Sequence, residues 1–120
     1  MNHNTTLGNL GEKIALQFLQ HKGYVILQKN WKHDRAEIDI IAQYQQILVF
    51  VEVKTRKNTL HGYPETAVDN RKIKQLEKAS LQYIHDNDYQ GEIRFDIIAI
   101  DFQAGEPTIQ HFQDAFFPMN

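Results

Sequence analysis

The 120-residue sequence predicts a single α/β domain built on a mixed β-sheet flanked by helices. Two stretches carry apolar residues at helical spacing, several short runs rich in β-branched and aromatic residues lie between and after them, and the order is helix, three strands, helix, strand. The length supports one core and not two sizeable domains, so residues 1–120 are read as one unit.

The first helix is expected over residues 9–21. Leu10, Ile14 and Phe18, with Ala15 and Leu19 beside them, form a stripe, Asn9 and Glu12 have the layout of a capping box, and Gly23 stops the helix. YVILQKNW reads as a strand, and AEIDIIA and ILVFVEVK follow as two more, separated by a polar turn at Gln45 and Gln46; together the three predict an antiparallel meander. TRKNTLHGYPETAVDN, with Gly62 and Pro64, reads as a loop. Helical spacing returns in NRKIKQLEKASLQYIHDN, where Ile73, Leu76, Ala79, Leu81 and Tyr83 supply the stripe and Asp69 or Asn70 the N-cap. EIRFDIIAIDF is a fourth strand, and TIQHF a short fifth.

Composition narrows the function classes. A hydrophobic fraction of 42% and a charged fraction of 23% are those of an ordinary globular protein. With no cysteine, disulfide frameworks and thiolate zinc sites are excluded. The start, MNHNTTLGNLGEK, resembles no signal peptide, and no apolar run approaches a membrane span, so a cytoplasmic protein with no membrane contact is expected. The six histidines are scattered, and neither a phosphate loop nor a nucleophile elbow is present, which sets aside zinc, ATP-driven and serine-hydrolase chemistry.

The net charge is −2, yet ten of the thirteen Lys and Arg lie between Lys29 and Lys78, while the chain from Ala79 onward has Arg94 alone against seven acids. This asymmetry points weakly to a polyanionic ligand, against the plainer reading of solvated faces.

The chemistry concentrates in residues 36–56, AEIDIIAQYQQILVFVEVKTR. Apolar strands there carry Glu37, Asp39 and Glu52 and end on Lys54, although an unpaired buried charge is very costly. A two-residue turn at Gln45 and Gln46 would set Asp39 opposite Glu52 and Glu37 opposite Lys54, bringing two carboxylates about 5 Å apart at Cβ. A divalent cation would neutralise them; Mg²⁺ typically takes one or two carboxylates and keeps several waters. Salt bridging from Lys54, Arg35, Arg56 or Arg94 is the competing account. Glu12, with Ala15, Leu16 and Leu19 at i+3, i+4 and i+7, lies at the edge of the packed helix face, where it could reach the same sheet or merely serve the helix end.

The arrangement of Asp39 followed by Glu52-Val53-Lys54 resembles the PD-(D/E)xK nuclease superfamily. GNLGEKIALQFLQHKGYVILQKNW, AEIDIIA, FVEVKTR, the helix with Lys72 and RFDIIAI look like the YraN-type family of bacterial endonuclease-like proteins, itself similar to archaeal Holliday junction resolvases. The resemblance implies a restriction-endonuclease-like αβββαβ core, with Glu12, Asp39 and Glu52 as metal-binding acids, Lys54 as the catalytic lysine and Mg²⁺ or Mn²⁺ as cofactor. Ala36 stands where the family usually has glycine, which touches local backbone freedom and no chemical group.

The function this implies is metal-dependent hydrolysis of DNA phosphodiester bonds, branched or distorted DNA included. Arg56, Lys57, Arg71 and Lys72 are candidate phosphate contacts, and Trp31 and Tyr63 are aromatics for stacking or for anchoring the core. A second copy of the chain is a candidate partner. The alternatives are a nucleic-acid-binding module without turnover and a protein-interaction adaptor using the apolar FQDAFFPM tail.

Overall fold

The structure is a computed structural model that describes residues 5–57, 70–103 and 105–115. The element order is α1 (Thr5–His21), β1 (Val25–His33), β2 (Ala36–Tyr44), β3 (Ile47–Arg56), α2 (Asn70–Asp86), β4 (Glu92–Asp101) and β5 (Thr108–Phe112). One five-stranded sheet runs in the order β1-β2-β3-β4-β5; β3 and β4 are parallel and the other neighbours antiparallel. This is the expected αβββαβ layout with the short fifth strand closing one edge. Among the described residues no helix is long and apolar enough to cross a membrane.

The two helices cover opposite faces of the sheet. Ala15 and Leu19 of α1 pack on Ile40, Val49, Val51, Ile98 and Ile100. Leu76, Ala79 and Tyr83 of α2 pack on Ile38, Phe50, Phe95 and Ile97. Strands covered on both sides have no polar face, which is why β4 reads as a nearly unbroken apolar run.

The first helix begins at Thr5, one turn earlier than expected, so Asn9 and Glu12 lie inside it and form no capping box. Leu10 is also displaced from the stripe, at 47% exposure, and the buried face runs through Gly11, Ala15 and Leu19. A β-carbon at Gly11 would collide with Thr55, so α1 lies tight against β3 at that position, and this close approach sets which helix face is buried. Capping signals are local, and tertiary packing outweighs them. Asp69, the other N-cap candidate, and residues 58–69 of the expected loop lie outside the described residues, as do Tyr63 and residues 116–120 of the apolar tail.

The turn between β2 and β3 has the expected two residues, Tyr44 pairing with Ile47 and Gln45 taking a φ of +55°. The ladder ends at Ile40–Val51, however, so Asp39 does not pair with Glu52, nor Glu37 with Lys54. The strands separate there because the Asp39 side chain takes the place of a backbone acceptor.

A polar cluster sits on the α1 face. Fully buried Asp96 accepts two hydrogen bonds from Arg94, at 2.8 Å each, one from the Asp114 N–H at 3.0 Å, and pairs with His111 Nε2 at 2.7 Å. Arg94 also donates to the Tyr24 hydroxyl. The cluster ties β5 and the segment after it to β4, and it replaces the water that a buried carboxylate would otherwise lack.

Candidate functional site

Where β2 and β3 part, Asp39 Oδ2 accepts the Val53 N–H at 2.8 Å and lies in the gap between the strands. Glu52 and Lys54 share a face of β3 with Phe50, the face covered by α2. Glu52 is 6% exposed and is held by Lys72 Nζ at 2.8 Å and Lys54 Nζ at 3.6 Å. Lys72 reaches it from the first turn of α2, so the helix start and the strand end meet over one carboxylate.

Glu12, half-buried on α1, points to the same place. Its carboxyl is raised above the ordinary range by burial and by the charge of Glu37, with a smaller push from Glu52, while a hydrogen bond from Asn30 works against the shift. Asn30 has a φ of +51°, a backbone turn that asparagine tolerates. Asp39 is pushed up to about 8, first by burial, then by Glu52, with Glu12 and Glu37 adding to it and the Val53 hydrogen bond opposing. Burial would lower Lys72, but the hydrogen bond and charge of Glu52, with Asp39 and Glu37 behind it, hold its ammonium above the usual range. Four acids thus share one negative field, and lysines supply the countercharge.

The structure therefore brings Glu12, Asp39, Glu52 and Lys54 into one region from three separate elements. Lys72, expected on a phosphate, lies instead on Glu52. Arg56 is taken by Asp101, with Nε to Oδ1 at 2.9 Å and Nη2 to Oδ2 at 3.3 Å, and it pins the ends of the parallel pair together. The pairing gives Arg56, an expected phosphate contact, a structural role at the ends of these strands. Lys57 and Arg71 are exposed. Glu37 is one of the three strand acids singled out in the sequence but given no metal or catalytic role there, whereas nothing local marks Asn30.

Among the described residues no group of three or more His, Asp or Glu side chains is gathered closely enough to hold one metal ion. In this arrangement Lys72 and Lys54 occupy the acceptor that a cation would use. The donor set still suits a hard divalent ion, since Mg²⁺ needs only one or two carboxylates and takes its other oxygens from water and phosphate. An open pocket of about 280 Å³, lined by Arg35, Glu37, Asp39, Lys72 and Gln75 among others, gives access to Asp39 and Glu37.

The family model described as "Uncharacterised protein family UPF0102" matches residues 11–100, a span that runs from Gly11 of α1 to Ile100 of the core strand β4. The chain belongs to UPF0102, the YraN-type family. It is 50% identical over 117 residues to a UPF0102 protein of Flavobacterium psychrophilum, with 98% of each chain covered. A UPF0102 protein of Bacteroides thetaiotaomicron is 41% identical over 118 residues, again with 98% of each covered. One from Geotalea daltonii is 46% identical over 117 residues, covering 96% of this chain and 92% of that one. The UPF0102 match spans Glu12, Asp39, Glu52, Lys54 and Lys72, so every residue of the acidic site lies inside the family region.

Proposed function

We propose that this UPF0102 protein hydrolyses DNA phosphodiester bonds with Mg²⁺ or Mn²⁺ held by Asp39 and Glu52, Glu12 standing behind them. The observation that carries the reading is Asp39: a carboxylate driven up to about 8 among three other acids, in a gap opened between two strands, beside an accessible pocket. Structural acids in this fold look different, as Asp96 shows, with every lone pair directed at a donor. A strongly perturbed acid in a cleft is a site signature.

A bound divalent ion supplies polarisation of a phosphoryl oxygen and a lowered pKa for water. The chain's own residues do the rest. Asp39 is oriented by the Val53 N–H, which occupies one of its oxygens and fixes its rotamer. Lys54, 24% exposed on its side chain, stands next to Glu52 and is placed to orient the attacking water or to stabilise charge gathering on the phosphoryl group. Lys72 neutralises Glu52 until a cation or a phosphate arrives.

The test is incubation with Mg²⁺ or Mn²⁺ and a panel of single-stranded, duplex, flapped and four-way DNA, plus RNA. Cleavage of at least one DNA is expected, with Lys54→Ala lowering the rate by about 10²-fold or more, the usual cost of removing one such stabilising group. Binding without cleavage across the panel would replace this reading with the module that lacks turnover, and neither binding nor cleavage would favour the adaptor.

Lys72 yields a second expectation. Because its ammonium competes for Glu52 Oε2, Lys72→Met should tighten Mn²⁺ binding in calorimetric titration by about tenfold, equivalent to about 1.4 kcal/mol. The same change should lower the melting temperature of the metal-free protein. Weaker Mn²⁺ binding would show instead that Lys72 helps to position the acids.

A further inference from the structure

The pocket beside Asp39 does not end there. A second hollow of about 480 Å³ is lined by His33, Asp34, Arg35, Ala36, Gln75 and Lys78, and the two share Arg35, Ala36 and Gln75. Together they form a groove between the β1–β2 turn and α2, with the acids at one end. Its volume falls in the range that takes a small ligand.

The far end has an aromatic surface. The His33 and Trp31 rings stack with centroids 6.1 Å apart and planes 16° from parallel. Trp31 is fixed from behind, edge-on to Tyr83 of α2 at 5.4 Å and 86°. The His33 side chain keeps 34% of its surface exposed and faces Asp34, whose Oδ2 lies 3.5 Å from Nε2. Exposed Arg35 and Lys78 line the stretch between this ring and the acids. Asp34 disfavours a phosphate beside His33, so the anionic part of a ligand belongs at Arg35 and Lys78 and its flat part on the imidazole.

We infer that this groove is a subsite for one unpaired nucleotide next to the scissile bond, its base stacked on His33 and its phosphate held by Arg35 and Lys78. The inference rests on the proposed nucleic-acid function and deepens it, assigning a substrate with a single-stranded stretch at the site. Stacking on aromatic rings together with a cationic wall is how unpaired strands are held without sequence readout.

Trp31 is the only tryptophan of the chain, and through its stack with His33 its emission reports on this groove. The experiment is a fluorescence titration in EDTA, which prevents metal-dependent cleavage, using a short oligothymidylate and a blunt duplex of equal length. Oligothymidylate should quench Trp31 and the duplex should not. The double variant Arg35→Ala/Lys78→Ala should bind oligothymidylate about tenfold more weakly. Its slope of log K against log salt should flatten by about 0.7 for each phosphate that is no longer neutralised. His33→Ala should remove the preference for the single strand. Binding with unchanged Trp31 emission, or with unchanged affinity in the double variant, overturns the subsite, as does an absence of binding. Metal-dependent cleavage that persists alongside such a result leaves the hydrolase reading standing, and quenching by oligothymidylate without any cleavage on the panel leaves the groove and removes the hydrolase.

Discussion

Asp39→Asn should make the metal-free protein more stable at alkaline pH and abolish its stabilisation by Mn²⁺. Asparagine keeps an oxygen for the Val53 N–H, so the substitution removes charge and little else. The folded-state value of about 8 lies far above the roughly 3.9 of an unfolded aspartate. Between these values the native state holds a proton that the unfolded state has released. Stability from this group is therefore complete below about pH 4 and is lost as pH rises through about 8. After allowance for Lys72 and Lys54, which offset the neighbouring Glu52, we expect a gain on the order of 1–2 kcal/mol for Asn at pH 9. For a domain of this size that is about 3–12 °C in melting temperature. In the wild type, Mn²⁺ at 100 times its dissociation constant should return about 2.7 kcal/mol, and in the variant almost none. Thermal melts of both proteins at pH 6 and pH 9, with and without Mn²⁺, measure all of this. A large drop for the metal-free variant, with no Mn²⁺ shift in the wild type, would make Asp39 a structural acid and remove the metal site.

Asp96→Ala should do the reverse. It strands Arg94, His111 and the Asp114 N–H inside the fold, and breaking a buried charge network in this way costs about 3–5 kcal/mol. The melting temperature should fall by roughly 10–20 °C. Burial alone would raise the Asp96 carboxyl, but the bonds from His111, Arg94 and Asp114 outweigh it and hold the group below its usual range. Its contribution is accordingly present above the unfolded value and is lost as pH falls through the lower, folded one. An acid-unfolding titration should show the wild type losing stability below about pH 4 and the variant losing less over the same interval. A drop in melting temperature under about 1 kcal/mol equivalent would mean that water replaces the network at little cost. The two aspartates carry the same side chain, and pH acts on them with opposite sign because donors outweigh the burial of Asp96, whereas the burial of Asp39 is reinforced by neighbouring acids and opposed by a single N–H.

Much of this domain was legible in the chain itself. Periodicity located both helices and all five strands, since α and β faces leave different spacings of apolar residues; the Gln45–Gln46 turn set the register of β2 against β3 from Ile40 to Tyr44. Asp39 and Glu52 were identifiable as unusual, because acids inside apolar strands call for a compensating charge such as Lys54, whereas Glu12 entered the site only through the family resemblance. What came from the tertiary structure alone was how each charge is compensated. The ladder stops before Asp39 because a side-chain oxygen captures the Val53 N–H, and Lys72 reaches Glu52 only because α2 packs on the face of β3 that carries it. Arg56 goes to Asp101, 45 positions away, through the parallel pairing of β3 with β4. Such pairings depend on which strands become neighbours, and that is decided by the packing of the whole sheet rather than by the spacing of residues along any one segment.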